Sequence, residues 1–391
     1  MTMINDFKKR SETVFAIILI TVSLILFVIP TGFQRSIYVN AQGARARVLA
    51  TDDSHIIQTG LFRQGDQSCT VEILSGDHKG QVLEGVNMLS GSLASDKVFQ
   101  EGDLAWVLVE RDVSGRPVFV NMIDYYRLSK EAAAAAVFSL ILIAFARFSG
   151  VRIIASFIFA FLVIWKLLIP AALHGINPLF ICLAALMMIT VATLLLVGGV
   201  SRRSLAAICG AVSASLVTAL TGFVMTHWMR IHGSVLEQSE SLLYSGFQNL
   251  DLTSLFVGVV ALSAGGAIMD LSIDVAVAMA EVREHAPSIS RKELIRSGMA
   301  VGRAGVGTQT TTLLLAYMGS WLTVMMVYMA QSTPVLNIMT GKMIASEIVQ
   351  TLTGCTGLVL VTPLTSLIAS YLYSPKVDKT SLKNRTESAN M

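Results

Sequence analysis

Eight stretches of about twenty apolar residues constrain this chain more than anything else in it. They fall at roughly 13–32, 131–147, 151–173, 177–198, 204–226, 252–278, 311–331 and 343–372. A helix rising about 1.5 Å per residue crosses about 30 Å of hydrocarbon in roughly 20 residues. A water-soluble core has no room for eight such helices, so the lipid bilayer is the first partner implied. Composition agrees: 14% of residues are charged, against about 25% in soluble domains. The fold class expected is an all-α polytopic membrane bundle of about eight transmembrane helices with an inserted β-rich domain.

The first run, TVFAIILITVSLILFVIP (Thr13–Pro30), follows Lys8, Lys9 and Arg10. It is longer than a signal-peptide core and has no small-x-small cleavage site after it, so residues 13–32 read as an uncleaved anchor. Lys and Arg accumulate on the cytoplasmic side of short loops. With a cytoplasmic N terminus (1–12), the inner segments hold Lys8, Lys9 and Arg10; Arg147 and Arg152; Arg202 and Arg203; Arg283, Arg291, Lys292, Arg296 and Arg303; and Lys376, Lys379, Lys383 and Arg385. The short outer loops hold only Arg230 and Lys342. Both termini are therefore expected in the cytoplasm, with a seven-helix bundle at 131–373, an inner loop at 281–310 and a tail at 374–391. Cys182, Cys209 and Cys355 lie in apolar runs and Cys69 has no soluble partner, so neither a disulfide nor a cysteine metal site is expected.

Residues 33–130 are the long polar exception and read as an extracytoplasmic β-rich domain. VEILSG (71–76), LAWVLVERD (104–112) and PVFVNMID (117–124) carry the alternation of half-buried strands. The turn residues of DVSGRP make the last two a hairpin. A small barrel or sandwich is expected. Without a basic stripe or clustered aromatics, it is not a nucleic-acid module.

In the inner loop, Ser290 stands three residues before Glu293, the spacing of a capping box. A short basic helix from Arg291 to about Ala300 is expected along the inner membrane surface. GMAVGRAGVGT (298–308) has Arg303 where a P-loop needs Lys, the wrong glycine spacing and no preceding strand. It reads as a mobile loop leading into span seven.

Span six contains two carboxylates. Asp270 and Asp274 are four residues apart and share a helix face, which continues through Gly266 and Ser263 one way and Val277 or Ala278 and Glu281 the other. Each Asp costs about 2.5–3.5 kcal/mol at the centre of a span, so this small, polar stripe is expected to face the bundle interior or a wet cavity. Asp270 lies roughly 7 Å to the cytoplasmic side of the midpoint near Gly265. A cation or proton site reached from the cytoplasm is one reading; carboxylates hydrogen-bonded or wetted at the interface are the other. Lys166 in span three lies on the order of 6 Å beyond its midpoint toward the outside, which makes Glu347, at the outer start of span eight, its better partner. Gly265–Gly266 in span six, and Gly354, Gly357 and Pro363 in span eight, are candidate breaks that would free backbone for a substrate; close helix packing is the alternative.

Three blocks of this sequence resemble a known family. GGAIMDLSIDVAVAMAEV (265–282), VGRAGVGTQTTTLLLAYMG (301–319) and ASEIVQTLTGCTGLVLVTPLT (345–365) are similar, in this order, to signature blocks of the YibE/F-like family of bacterial multi-pass membrane proteins. VEILSGDHKGQVLEGVNMLSG (71–91) resembles the outer segment of its longer members. The resemblance implies a bacterial cytoplasmic membrane location. It carries over Asp270 and Asp274 from the first block, Gly307 and Thr308 from the second, and Glu347 and Gly354 from the third. Family members often have Asn where this chain has Thr311.

No nucleophile–base constellation is visible, so no enzyme, catalytic residue, cofactor or metal site is expected. The function expected is a proton- or ion-coupled small-solute permease whose pathway uses Asp270, Asp274, Gly265, Gly266, Glu347, Lys166 and Thr308. The alternative is a non-transporting assembly or sensory protein whose outer β domain binds a protein partner.

Overall fold

The computed structural model describes residues 2–33 and 40–373, except the side chains of residues 2–13 and 320. The tail at 374–391 and the side chains of Lys8, Lys9 and Arg10 lie outside the described residues, and with them part of the charge pattern used for the topology. The chain divides into two compact units, one of residues up to Phe33 together with those from Ala146 on, the other Gln34–Phe145.

The smaller unit is a β-barrel followed by one helix. Its strands are β1 (Ala41–Asp52), β2 (Ile56–Thr59), β3 (Phe62–Ile73), β4 (Val82–Ser90), β5 (Leu104–Arg111) and β6 (Pro117–Tyr125). β1 pairs with both β3 and β5, which closes the sheet in the order β1-β3-β4-β6-β5, and β2 is a short addition on β3. All pairings are antiparallel except β4 with β6. This five-stranded connectivity is that of the OB barrel. Alternation selects the core: Ala44, Ala46 and Val48 of β1 point in with Val71, Ile73, Val107, Val109 and Met122, while Arg45 and Arg47 point out. The β5–β6 hairpin turns at Asp112, whose carboxylate accepts the backbone N–H groups of Ser114 and Arg116. The small residues of AQGARARVLA conceal β1 from a reading by large apolar alternation.

α2 (Leu128–Ala146) completes this unit and is long and apolar enough to span a membrane. Its residues up to Phe145 fall in the same compact unit as the barrel, and none of its side chains is buried.

The larger unit contains α1 (Thr2–Val28), α3 (Phe148–Leu162), α4 (Ile169–Leu173), α5 (Pro178–Gly198), α6 (Arg202–Trp228), α7 (Ser239–Tyr244), α8 (Leu252–His285), α9 (Arg291–Ala330), α10 (Val335–Thr340) and α11 (Lys342–Leu372). Among the described residues, six helices of the chain are long and apolar enough to cross a membrane, and bent α9 makes a seventh if taken as one span. The apolar part of α1 is the shorter Val14–Val28. Multiple apolar helices around a packed centre make this a membrane helical bundle.

α6, α8 and α11 form that centre. Ala206, Ala207, Ala211 and Ala214 of α6 are buried against Ile268 and Val275 of α8 and Leu358 and Val361 of α11. Small residues let backbones approach where lipid supplies no hydrophobic drive for association. Gly357 sits against Thr218, Gly210 against Thr365 and Gly222 against Thr353.

Three expectations are corrected here. Gly265–Gly266 does not break span six: α8 runs unbroken for 34 residues. Gly354, Gly357 and Pro363 lie inside an equally unbroken α11 of 31 residues. Glycine in these helices makes room for a neighbour, and an interior Pro is tolerated where packing holds the helix. Residues 298–308 are not a loop either. The capping box at Ser290 and Glu293 opens a helix of 40 residues, bent by 59° between Gly319 and Trp321. Gly298 meets Met279 and Ser366, Gly302 meets Thr362 and Gly305 meets Leu271, so the run that looked like a flexible loop is a packing seam. The irregularity that does occur is in span three, which still runs from Phe148 to Leu173. Pro170 has no N–H for the carbonyl four residues back, and the preceding turn, Val163–Leu168, widens so that Ile169 N–H donates to Ile164 O.

Candidate functional site

α8 begins with Asp251 as its N-cap, the carboxylate accepting the N–H groups of Thr253 and Ser254. The helix then packs on four neighbours. Gly265 faces Leu186 of α5, Ala264 and Ile268 meet the glycines of α11, Leu271 meets Gly305 of α9, and Ala264, Ile268, Leu271 and Val275 share one buried cluster with the alanines of α6. What remains is one face, between the flanks that touch α5 and α9. Ser263, Gly266, Asp270, Asp274 and Glu281 all lie on it and are exposed, with Val277 and Ala278 half-buried.

The acidic stripe therefore does not enter the packed interior, one of the two placements expected for it, the other being a wet cavity. The interior is filled by glycine, alanine and hydroxyl contacts, with no space for a carboxylate. The stripe lies on the one exposed face of α8, and nothing stands within 4 Å of a Cβ placed on Gly266. Thr308 lies one turn beyond Gly305 on α9; it is exposed and bonds to Gly305 O at 3.1 Å. Gly307 beside it is likewise open. Below, Arg203 of α6 bridges to Glu281 and Glu284 at 3.4 and 2.9 Å, closing the charged end of α8.

Lys166 and Glu347 are not paired. The Lys166 ammonium donates to the carbonyl of Ile29 at 3.0 Å, just past the end of α1, and lies 5.4 Å from the centre of the Trp165 ring. The π-type turn redirects this side chain toward α1, whereas Glu347 is on α11, which packs on α6, α8 and α9. Half-buried Glu347 has other company: the side chain of Tyr317 of α9 lies within electrostatic reach of it and beside Gln350, one turn along α11. Gly354 leaves the space the Tyr317 hydroxyl occupies, 3.3 Å from where a Cβ would stand. Neither Tyr317 nor Gln350 was picked out from sequence. The signal was the spacing Glu347, Gln350, Gly354, one helix face.

The polar residues thus form two separate centres, the Asp270–Asp274 stripe of α8 and the Glu347–Gln350–Tyr317 cluster, with Thr308 one turn along α9 from the glycine that meets Leu271. Lys166 belongs to neither. His227 and His232 bond locally, to Phe223 O and to Ser234 N–H.

The model of the YibE/F-like protein family matches residues 134–375, more than half of the chain. The chain belongs to the YibE/F-like family. No curated protein and no solved structure matches it. The barrel strands precede the region that matches the YibE/F-like model. Within that region, the three blocks that resemble family signatures lie in α8, α9 and α11, which pack on one another, and both polar centres are built from them.

Proposed function

We propose that this YibE/F-like protein is a proton- or cation-coupled permease for a small solute, with Asp270 and Asp274 in the pathway. The observation that carries this reading is that four neighbours cover α8 and leave only its acidic face open. At 34 residues the helix is about 51 Å long, so some of it extends beyond a 30 Å hydrocarbon core. Counted from Leu252, Asp270 and Asp274 fall where that core gives way to the opposite interface, a depth at which water reaches a carboxylate and a proton can be exchanged. The hydroxyl of Thr308 and the bare backbone at Gly266 and Gly307 give a passing solute polar contact without steric closure. Glu347, Gln350 and Tyr317 supply a second protonatable station on the same three helices. The topology proposed is eight spans in a bacterial cytoplasmic membrane, both termini inside and the barrel outside, with no enzymatic activity.

The test is proton movement into proteoliposomes holding an entrapped pH-sensitive dye, driven by a potassium diffusion potential. D270N and D274N are each expected to reduce the flux at least tenfold. Unchanged flux in both variants removes these residues from the mechanism. The lateral position of the stripe also supports a second reading, an assembly protein whose carboxylates a partner covers. A stable oligomer or hetero-complex with no flux in the wild type favours it.

A further inference from the structure

The junction between the barrel and α2 gathers residues that neither polar centre uses. α2 begins at Leu128, and the preceding residues Tyr125, Tyr126 and Arg127, with Lys130 on its first turn, stand where a membrane-crossing helix leaves the bilayer. The barrel adds Trp106 and Arg45, cross-strand neighbours on its outer face. Gly43 makes this possible, since its missing side chain lets the Trp106 indole lie across β1. Trp106 and Tyr126 have ring centres 6.2 Å apart, and the Arg45 guanidinium lies 5.5 Å from the Tyr126 centre. Arg127 is occupied by Asp124 at 3.0 Å and lies over Tyr125. Tryptophan, tyrosine and basic side chains at the end of a span are the residues that settle at headgroup level.

Two cavities flank this group. One, about 650 Å³, is lined by Gln100, Asp103, Tyr125, Tyr126, Arg127 and Lys130. The other, about 330 Å³, runs from Trp106 to Leu128 and Glu131 and has mostly apolar walls. The larger cavity holds an exposed ammonium, Lys130, and a carboxylate, Asp103, which among the described residues accepts the Gln100 N–H at 2.7 Å. With Arg127 balanced by Asp124, the charges left on the lining of the larger cavity are one cation and one anion; Arg45 is stacked on Tyr126 and Glu131 lines the smaller cavity.

We infer that this junction binds a zwitterionic aminophospholipid headgroup, with the phosphate on Lys130, the primary ammonium on Asp103 and the acyl end along Trp106 and Leu128. The balance of charges selects the class. A purely anionic headgroup would leave Asp103 opposed to it, and a quaternary ammonium has no N–H to donate to that carboxylate. The inference rests on α2 crossing the membrane and is independent of any transport activity.

Native mass spectrometry of the detergent-purified full chain tests it, with dioleoyl phosphatidylethanolamine, phosphatidylcholine, phosphatidylglycerol and soluble phosphoethanolamine titrated separately. Phosphatidylethanolamine is expected to bind most tightly. K130Q should weaken all three lipids about fivefold, the loss of one basic residue near a membrane surface. D103N should weaken phosphatidylethanolamine by a similar factor and spare the other two. R203Q, at the charged end of α8, should change nothing. Wild-type preference for phosphatidylglycerol, or undiminished phosphatidylethanolamine binding in both K130Q and D103N, overturns the assignment. Soluble phosphoethanolamine binding as tightly as the lipid overturns it too, by making the site one for a free solute.

Discussion

Gly302 of α9 and Thr362 of α11 are in such close contact that a Cβ on the glycine would overlap the threonine side chain. Overpacking of this kind typically costs about 1–3 kcal/mol. G302V should therefore lower the thermal unfolding temperature of the purified protein. The added change T362A, which vacates the overlapped space, should restore part of it. Equal destabilisation in single and double variants would mean that the two helices do not meet there.

Adjacent glycines of α8 should behave oppositely. Gly265 abuts Leu186 with no room for a methyl group, and Gly266 faces open space. G265A should destabilise the bundle; G266A should be neutral or slightly stabilising, since alanine has about 1 kcal/mol more helix propensity than glycine. Thermal unfolding of the two variants side by side reads out which face of α8 is covered. The reverse order would place the acidic stripe on the packed side.

Much of this fold was legible because two of its signals are local. Ser290 and Glu293 make a capping box whatever surrounds them, and PVFVNMID alternates as a half-buried strand on its own terms. The missed features depend on neighbours. Gly298, Gly302 and Gly305 read as a loop by the rules of aqueous chains, in which glycine interrupts helices, whereas here each accepts a side chain of an adjoining helix. The periodicity of Asp270 and Asp274 correctly placed them on one face, but periodicity says only that a face is polar. Whether it points inward depends on what covers the opposite side, and that is set by α5, α6, α9 and α11. Charge made Glu347 look like the partner of Lys166. No sequence rule reveals that a widened turn sends this lysine to a backbone carbonyl.

Lys166 should accordingly act through α1. Removing its bond to Ile29 O in K166L should cost about 1.5–3 kcal/mol, the contribution of a hydrogen bond to a charged group. A cysteine at Ile29 should then become more reactive to a water-soluble maleimide. The charge swap K166E/E347K should give no rescue over the two single variants. A rescue of 1 kcal/mol or more would show that the two side chains interact.

The loop after β4 carries a pH dependence of defined sign. Slight burial alone would raise the Asp96 pKa, but bonds from Ser90 Oγ and from the N–H groups of Gly91 and Ser92 hold it below its ordinary value of 3.8. A depressed carboxylate contributes stability that is fully present above the unfolded pKa and lost as pH falls through the folded one. The thermal advantage of wild type over D96N should be constant above 3.8 and shrink below it. An advantage independent of pH would assign the effect to shape, not charge.

Gln67 anchors the barrel from within. It is fully buried; its amide nitrogen donates to Asp53 at 2.8 Å and to Phe99 O at 2.9 Å, and its oxygen accepts Asn87 Nδ2 at 3.0 Å and Phe99 N–H at 2.9 Å. One side chain thus ties β3, β4 and the 91–103 connection together, holding the backbone of Phe99 whose ring enters the barrel core. In Q67L both backbone groups of Phe99 lose their partner beside an apolar side chain, at about 1–3 kcal/mol for each buried group left unsatisfied. Q64L, which alters an exposed position on the same strand, should stay within about 0.5 kcal/mol of wild type. Chemical denaturation should show the barrel of Q67L losing tertiary structure before the helical circular-dichroism signal falls. If barrel and helices are lost together in Q67L as in wild type, at the same denaturant concentration, the buried amide does not hold the barrel together.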